Sequence, residues 1–316
     1  MQKNIEFPEE KAQQKSKKKS KKMSALKRSD YFWGYLMIGP TLIGILALYI
    51  WPSIQTIYFS FTTWGAFGNF EWSGLNNYKE LLRDPDLVGA LKNSFIFAAL
   101  SVPISISIAI LIALLLNQKV KGMAFYRTMY FLPVITIPAA VAMVWKWLYA
   151  ADYGLINYIL SIFSIEGPNW LTNPNIALLS IILVSVWMQV GYYMIFFLSG
   201  LQGIPPSLYE AASIDGAGGV RKFFTITLPL LTPTIFFVSI ISLIEALQIF
   251  DLVFMMIEPT SPAAQSTRTL VVLFFQEAFE FNNKGYASAI ATLIFVILFI
   301  VTIIQVRLQK KWVHYD

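Results

Sequence analysis

Six apolar runs, at about 34–61, 93–116, 128–149, 176–200, 229–257 and 286–306, leave few folds open to this chain. Each reaches or approaches the roughly 20 residues that carry a helix across a bilayer. Only 13% of the 316 residues are charged, about half of the roughly 25% found in soluble domains. The expected fold class is therefore an all-α integral membrane protein with six transmembrane helices. Prolines 40, 52, 103, 133, 138 and 233 lie within or beside these runs. They fit spanning helices, where neighbours re-satisfy the backbone groups a proline frees.

Charge sets the orientation. Residues 1–30 hold ten Lys or Arg and little apolar content, which reads as a disordered basic tail preceding a six-span unit at 31–316. With that tail in the cytosol, eighteen Lys and Arg fall on inside segments. Only six fall outside: Lys79, Arg83, Lys92, Lys146, Arg268 and Lys284. The excess follows the positive-inside rule and puts both termini in the cytosol. Trp33 and Trp312 then mark the inner boundary, and Trp64, Trp72, Trp145, Trp147 and Trp170 the outer one. The external loops are too short for an independent soluble domain.

Several chemistries drop out. Without cysteine, and with His314 as the only histidine, neither a thiolate or histidine metal site nor a histidine-based acid/base centre is expected. No catalytic residue and no metal site are assigned. No G-x-x-x-x-G-K-[ST] loop occurs, so the chain does not hold nucleotide in that way. The basic charge is a topology signal, and no nucleic-acid partner is implied.

The largest inner loop then carries the most information. Residues 203–233 read GIPPSLYEAASIDGAGGVRKFFTITLPLLTP. Pro205 and Pro206 can open a helix, and Gly216, Gly218 and Gly219 can close it. About ten residues make too short a helix to persist alone, so it needs a docking partner. Leu208, Ala211, Ala212 and Asp215 share a face. The two alanines permit close approach, and Glu210 and Asp215 offer carboxylates. Phe223, Phe224, Ile226 and Leu228 are expected to lie back on the bundle, and Pro229 to open the fifth span.

The pattern Glu210-Ala211-Ala212, Gly216, Ile226, Leu228-Pro229 matches the EAA loop of binding-protein-dependent ABC importer permeases, with the Asp215-Gly216-Ala217 of the sugar-importing branch. Further motifs resemble the same family: Gly74-Leu75-Asn76-Asn77-Tyr78, Arg127 with Phe131-Leu132-Pro133, and Asp152-Tyr153-Gly154-Leu155-Ile156-Asn157. The likeness is greatest to permeases for maltose, other oligosaccharides and glycerol phosphate. It implies a multi-pass subunit of the bacterial cytoplasmic membrane, with 203–229 as a coupling loop between the fourth and fifth spans. The implied partners are a second homologous permease, two ATPase subunits that bind ATP and Mg, and an extracytoplasmic solute-binding protein. Leu208, Glu210, Ala211, Ala212, Asp215, Gly216 and Ala217 would meet the ATPase. One departure stands out: Met256-Ile257-Glu258-Pro259-Thr260 replaces a Gly-Gly-Pro common in such permeases.

Polar groups inside spans are costly and usually face a cavity or a partner helix. Glu245, Gln248 and Asp251 in the fifth span, and Trp187, Gln189, Tyr192 and Tyr193 in the fourth, are the substrate-pathway candidates. Aromatic faces beside carboxylates and amides suit a sugar, and none of these positions is basic, as a sugar phosphate would want. Hydrogen bonding between helices would use the same residues. The expected function is a permease subunit of an ATP-driven oligosaccharide importer, with glycerol phosphate or another small polar solute as the alternative. A secondary transporter would work alone and tend to show internal repeats, which are not seen. A membrane enzyme would need a catalytic cluster.

Overall fold

The computed structural model describes residues 29–64, 68–118 and 122–313. The basic tail, Lys119, Lys121 and His314 lie outside them. Contacts divide the chain into two units, Met1–Tyr58 and Phe59–Asp316. Among the described residues, four helices are long and apolar enough to cross a membrane, and six spans result if each of two bent pairs counts as one.

The described part of the first unit is helix α1, Ser29–Phe59. It widens into a π turn at Leu46–Ile50, where the Trp51 N–H bonds back to the Leu46 carbonyl. Pro52 follows directly. A proline ring crowds the carbonyl four residues earlier and offers it no N–H, and a wider turn relieves both.

The second unit opens with a hairpin, β1 (Thr62–Trp64) and β2 (Phe70–Trp72), paired antiparallel with Thr62 opposite Trp72. This small sheet corrects the all-α expectation, since the apolar runs carry no trace of an extramembrane pairing three residues long. Helix α2 (Asn76–Leu81) follows. Asn77 donates from Nδ2 to the carbonyls of Ser60 (2.8 Å) and Thr62 (2.9 Å), and Tyr78 Oη meets Ser60 Oγ at 2.7 Å. Gly74 takes φ +61° to make the turn into α2.

Helix α3, Pro85–Leu116, starts eight residues before the apolar run at 93. Asp84 caps it, accepting from the Asp86 N–H at 2.8 Å, and Pro85 occupies its first turn. Its buried face is a stripe of small residues, Ala90, Ser94, Ala98, Ser101, Ser105, Ala109 and Ala113. Such a stripe lets helix axes approach closely in lipid, where packing rather than hydrophobic exclusion drives association. The helix that uses it most is α7, Ala177–Gln202.

Between them, the run at 128–149 is not one straight span. Helices α4 (Met123–Ile135) and α5 (Pro138–Leu148) meet at 99°. Pro138 drives Ile137 to extended geometry, φ −66°, ψ 127°, which no helix tolerates. Before the bend, α4 lies close on α7 at Gly191, where an added Cβ would fall on the Tyr130 carbonyl oxygen. Helix α6 (Leu155–Ile162) and the loop after it are tied by Asn157. That side chain donates to the Ala151 and Pro168 carbonyls and accepts from Trp170 Nε1 at 2.7 Å.

After the short helix α8 (Pro206–Ile214) comes α9 (Gly219–Leu230), which runs straight through Pro229 rather than starting there. A second π turn, Phe223–Thr227, absorbs that proline as the first absorbs Pro52. A 65° bend then leads into α10, Thr232–Leu247. The run to 257 is interrupted: Gln248–Phe250 is non-helical and α11 resumes at Asp251–Met256. Helices α12 (Ala264–Thr267) and α13 (Leu270–Phe275) follow, and α14, Lys284–Trp312, is the last described helix. Gly285 at its start packs against the Thr62 carbonyl of the hairpin.

Gly191→Val should be among the most damaging single changes, since the clash is with backbone. Overpacking of this kind costs about 1–3 kcal/mol. The variant should melt several degrees lower in detergent, measured by fluorescence-detected size-exclusion after heating.

Candidate functional site

Two constellations stand out, one in the 203–229 loop and one at the break in the fifth apolar run. In the loop, α8 begins as its prolines dictate: Pro205 precedes the helix and Pro206 sits in its first turn. Its end is a Schellman closure. Gly216 adopts φ +72°, the Gly216 N–H bonds to the Ser213 carbonyl at 3.1 Å, and the Ala217 N–H reaches the Ala212 carbonyl at 2.9 Å. Ala212 and Ala217, both half-buried, are the pair such a closure brings into contact. Gly218 instead starts α9 in extended geometry, so of the three glycines only Gly216 is left-handed.

The loop is tethered from one side. Tyr209 packs on the main core and its hydroxyl meets Thr227 Oγ1 at 3.0 Å. Lys222 Nζ donates to Ser213 Oγ at 2.6 Å, and Ser213 in turn donates to the Tyr209 carbonyl. Phe223 and Ile226 lie against the core as expected, whereas Phe224 is 60% exposed. The other side of α8 is free on this chain. Leu208, Glu210, Ala211 and Asp215 are exposed, and Ile214 is 88% exposed. Ile214 and its neighbour Val220 (75%) were not singled out by sequence. The signal available was their place beside the capping glycine, where an apolar side chain has no helix turn to cover it.

The seven membrane candidates divide. Tyr193 is wholly buried, and its hydroxyl lies 2.8 Å from Gln189 Oε1 and 2.7 Å from Glu245 Oε2. Those three residues join α7 to α10. Glu245 itself is exposed on this chain, as are Gln248 at the helix end and Asp251 in the first turn of α11. Tyr192 is packed edge-on against Phe196, which meets Phe237 likewise. Trp187 sits apart, edge-on to Trp145 in an apolar groove with Ile108, Tyr130, Pro133 and Leu183.

The break at Gln248–Phe250 carries neither proline nor glycine, so sequence reading missed it. The Gln248 N–H bonds to the Ile244 and Glu245 carbonyls, and the buried Thr269 hydroxyl donates to the Ile249 carbonyl at 3.0 Å. Phe250 is held at φ −132°, ψ −61°. Irregular backbone at such a place survives where protein or a polar cavity services it.

The outer loop is pinned beyond the break. Arg268 pairs with Asp86 at 2.7 Å, Gln265 donates to the same carboxylate, and Asn93 donates to the carbonyls of Gln265 and Arg268. Glu258, within the departure from Gly-Gly-Pro, pairs with Lys146 at 2.9 Å, and that ammonium holds its carboxyl below the usual range. Glu277 is shifted the other way. Burial is the larger cause, with the nearby Asp84 and Glu80 charges adding to it.

Three comparisons bear on this arrangement. Residues 87–314 match the family model "Binding-protein-dependent transport system inner membrane component". The chain is 38% identical over 298 residues to "Probable ABC transporter permease protein YesP" of Bacillus subtilis, covering 93% of this chain and 96% of the relative. It is 36% identical to the sn-glycerol-3-phosphate transport system permease protein UgpA of Agrobacterium fabrum (89% and 96% covered). It is 34% identical to the multiple sugar-binding transport system permease protein MsmF of Streptococcus mutans (92% and 99% covered). The fold is that of a chain in the crystal structure of a bacterial ABC transporter involved in import of the acidic polysaccharide alginate, with TM-score 0.80 at 22% identity over 92% of this chain and 99% of that one.

Two changes test these local geometries. Gly216→Ala forces a Cβ into a left-handed backbone, a cost of about 1 kcal/mol, and limited proteolysis should cut the 203–229 loop faster. Glu277→Gln should raise stability at neutral pH. Folding lifts the carboxyl's pKa, so the folded state is favoured while the group is neutral and loses that advantage as pH rises through the shifted value. Melting curves of variant and parent should separate at about pH 8 and converge at about pH 4.

Proposed function

The chain belongs to the family of binding-protein-dependent transport inner-membrane components, and from that premise we propose that it is one of two permease subunits of an ATP-driven sugar importer. As a member it is a multi-pass helical protein of the cytoplasmic membrane. In our reading it has six spans, each bent pair counting as one, and both termini in the cytosol. It carries no catalytic centre of its own. Two ATPase subunits bind ATP and Mg, a second homologous permease completes the path, and an extracytoplasmic binding protein delivers the solute.

The observation that carries this reading is α8. It is a short helix, closed at both ends by its own sequence, tethered on one side by Tyr209 and bare on the other. A nine-residue helix with exposed Leu208, Ala211 and Ile214 would not hold its shape in water alone. A groove on an ATPase would supply the missing half, with Glu210 and Asp215 meeting its basic side chains. Nucleotide-driven movement of the ATPases would then be transmitted through α8 and Tyr209 to α9 and the spans. Alternating access follows as the bundle rocks about a central site.

We assign the substrate path to the face that carries Glu245, Gln248 and Asp251. Sugars fit the mixture of carboxylate, amide and aromatic groups there, and one of the relatives is named for multiple-sugar transport. A glycerol phosphate substrate is the second reading, since another relative is named for it. Competition of uptake by neutral oligosaccharides, but not by glycerol phosphate, would support the first.

Glu210→Lys and Gly216→Pro should each leave the permease in the membrane yet lower ATP-dependent uptake by the reconstituted complex at least tenfold. The first reverses the charge offered to the ATPase. The second demands φ near −65° where the backbone stands at +72°. Transport at the parental rate in either variant would remove α8 from the coupling path.

A further inference from the structure

We propose that the break in the fifth span is an anion-rejecting checkpoint, in which Tyr193 holds the Glu245 carboxylate at the path and Asp251 repeats the charge one half-helix further on. The proposal rests on the reading that this face lines the path, and it names the substrate class: neutral, polyhydroxylated solutes.

The first argument is proton counting. The Tyr193 hydroxyl has one hydrogen but stands within bonding distance of two oxygen positions, Gln189 Oε1 at 2.8 Å and Glu245 Oε2 at 2.7 Å. The hydroxyl is wholly buried, so water does not resolve the conflict. If Tyr193 donates to the carboxylate, it must accept from Gln189, whose amide satisfies it by turning Nε2 inward. That order fixes the orientation of the Glu245 carboxylate. A charge-assisted bond from a buried tyrosine is a strong, directional anchor, so Tyr193 is a positioning residue that touches no solute.

The second argument is charge. The helices that form this junction, Ala177–Gln202 and Thr232–Leu247, contain no Lys or Arg, and neither does the stretch from Gln248 to Met256. Glu245 and Asp251 flank the break and both are exposed on this chain. The ion pairs among the described residues join Lys146 to Glu258 and Arg268 to Asp86, and neither involves Glu245 or Asp251. A passing carboxylate or phosphate would meet two carboxylates that, among the described residues, have no ion-pair partner. A hydroxyl-rich solute would donate to those same oxygens and to the Gln248 amide. In a partly dry path, like-charge repulsion over several ångströms is enough to slow an anion at least tenfold.

The test uses the whole importer in right-side-out membrane vesicles, with its binding protein added. Probes are a neutral trisaccharide and the aldonic acid made by oxidising its reducing end. The parental complex should take up the neutral sugar at least tenfold faster. Glu245→Gln and Asp251→Asn should each raise the acid-to-neutral rate ratio severalfold, and the double variant further. Tyr193→Phe should shift the same ratio in the same direction while ATPase activity persists. Unchanged ratios in all of these variants, or an acid transported as fast as the sugar by the parent, would overturn the proposal.

The chain has no cysteine, so single Glu245→Cys and Gln248→Cys variants separate the two layers of the argument. Labelling by a membrane-impermeant maleimide with unchanged ratios leaves the path assignment standing and removes the checkpoint. Absence of labelling in every nucleotide state removes both.

Discussion

A break in a spanning helix needs other groups to take up its backbone, because lipid offers a backbone amide no substitute for a lost partner. The cost of an unsatisfied N–H or carbonyl in hydrocarbon is several kcal/mol. The bends therefore occur only where another element comes close. Tyr130 offers its carbonyl to α7 at the one point where Gly191 has no side chain. Ile249, in the fifth-span break, gives its carbonyl to Thr269 from the outer loop. Pro52 and Pro229 each follow a π turn, with an N–H reaching back five residues in each case, and a 65° bend comes just after Pro229. Helix packing, loop anchoring and broken spans are then one problem with one solution.

The 203–229 loop obeys the same logic. A Schellman closure uses up the last carbonyls of α8, the Tyr209–Thr227 bond fixes its azimuth, and Lys222 holds Ser213. The side that remains is apolar at Leu208, Ala211 and Ile214 and acidic at Glu210 and Asp215. The spacing from the alanine pair to the glycine follows from the closure: Ala212 and Ala217 are the residues that must touch across Gly216. Part of the loop motif is thus the grammar of ending a helix, and only the exposed residues are left to recognise a partner.

Proline and glycine made much of this legible from sequence. Pro206 and Gly216 delimited α8 to within a residue, and the apolar runs located the long helices. Legibility failed where the cause was not local. Pro138 was visible, but neither the 99° angle of the turn nor the close seat of Tyr130 on Gly191 could be read from it. No residue type announces the break at Gln248–Phe250, because Thr269 stabilises it from twenty positions away. The hairpin at 62–72 is three residues a side, below what alternation can reveal. Two of the quoted motifs became structural joints: Asn77 ties the hairpin to α2, and Asn157 ties the loop that ends at Trp170. Glu258, within the stretch that replaces Gly-Gly-Pro, has a partner in Lys146.

Burial separates the membrane polar residues into holders and presenters, a distinction composition cannot make. Tyr193 has no exposed surface, yet it bonds to a residue that does. A tyrosine wholly inside a bundle can satisfy its hydroxyl within one helix, as the 2.8 Å approach to Gln189 shows. Reaching across to α10 as well adds order to the exposed Glu245 carboxylate beside the helix break. Trp187, four residues before Gly191, faces a different groove and belongs to the packing of the bent third span. Two positions of the fourth apolar run thus serve different ends, and the turn of the helix decides which.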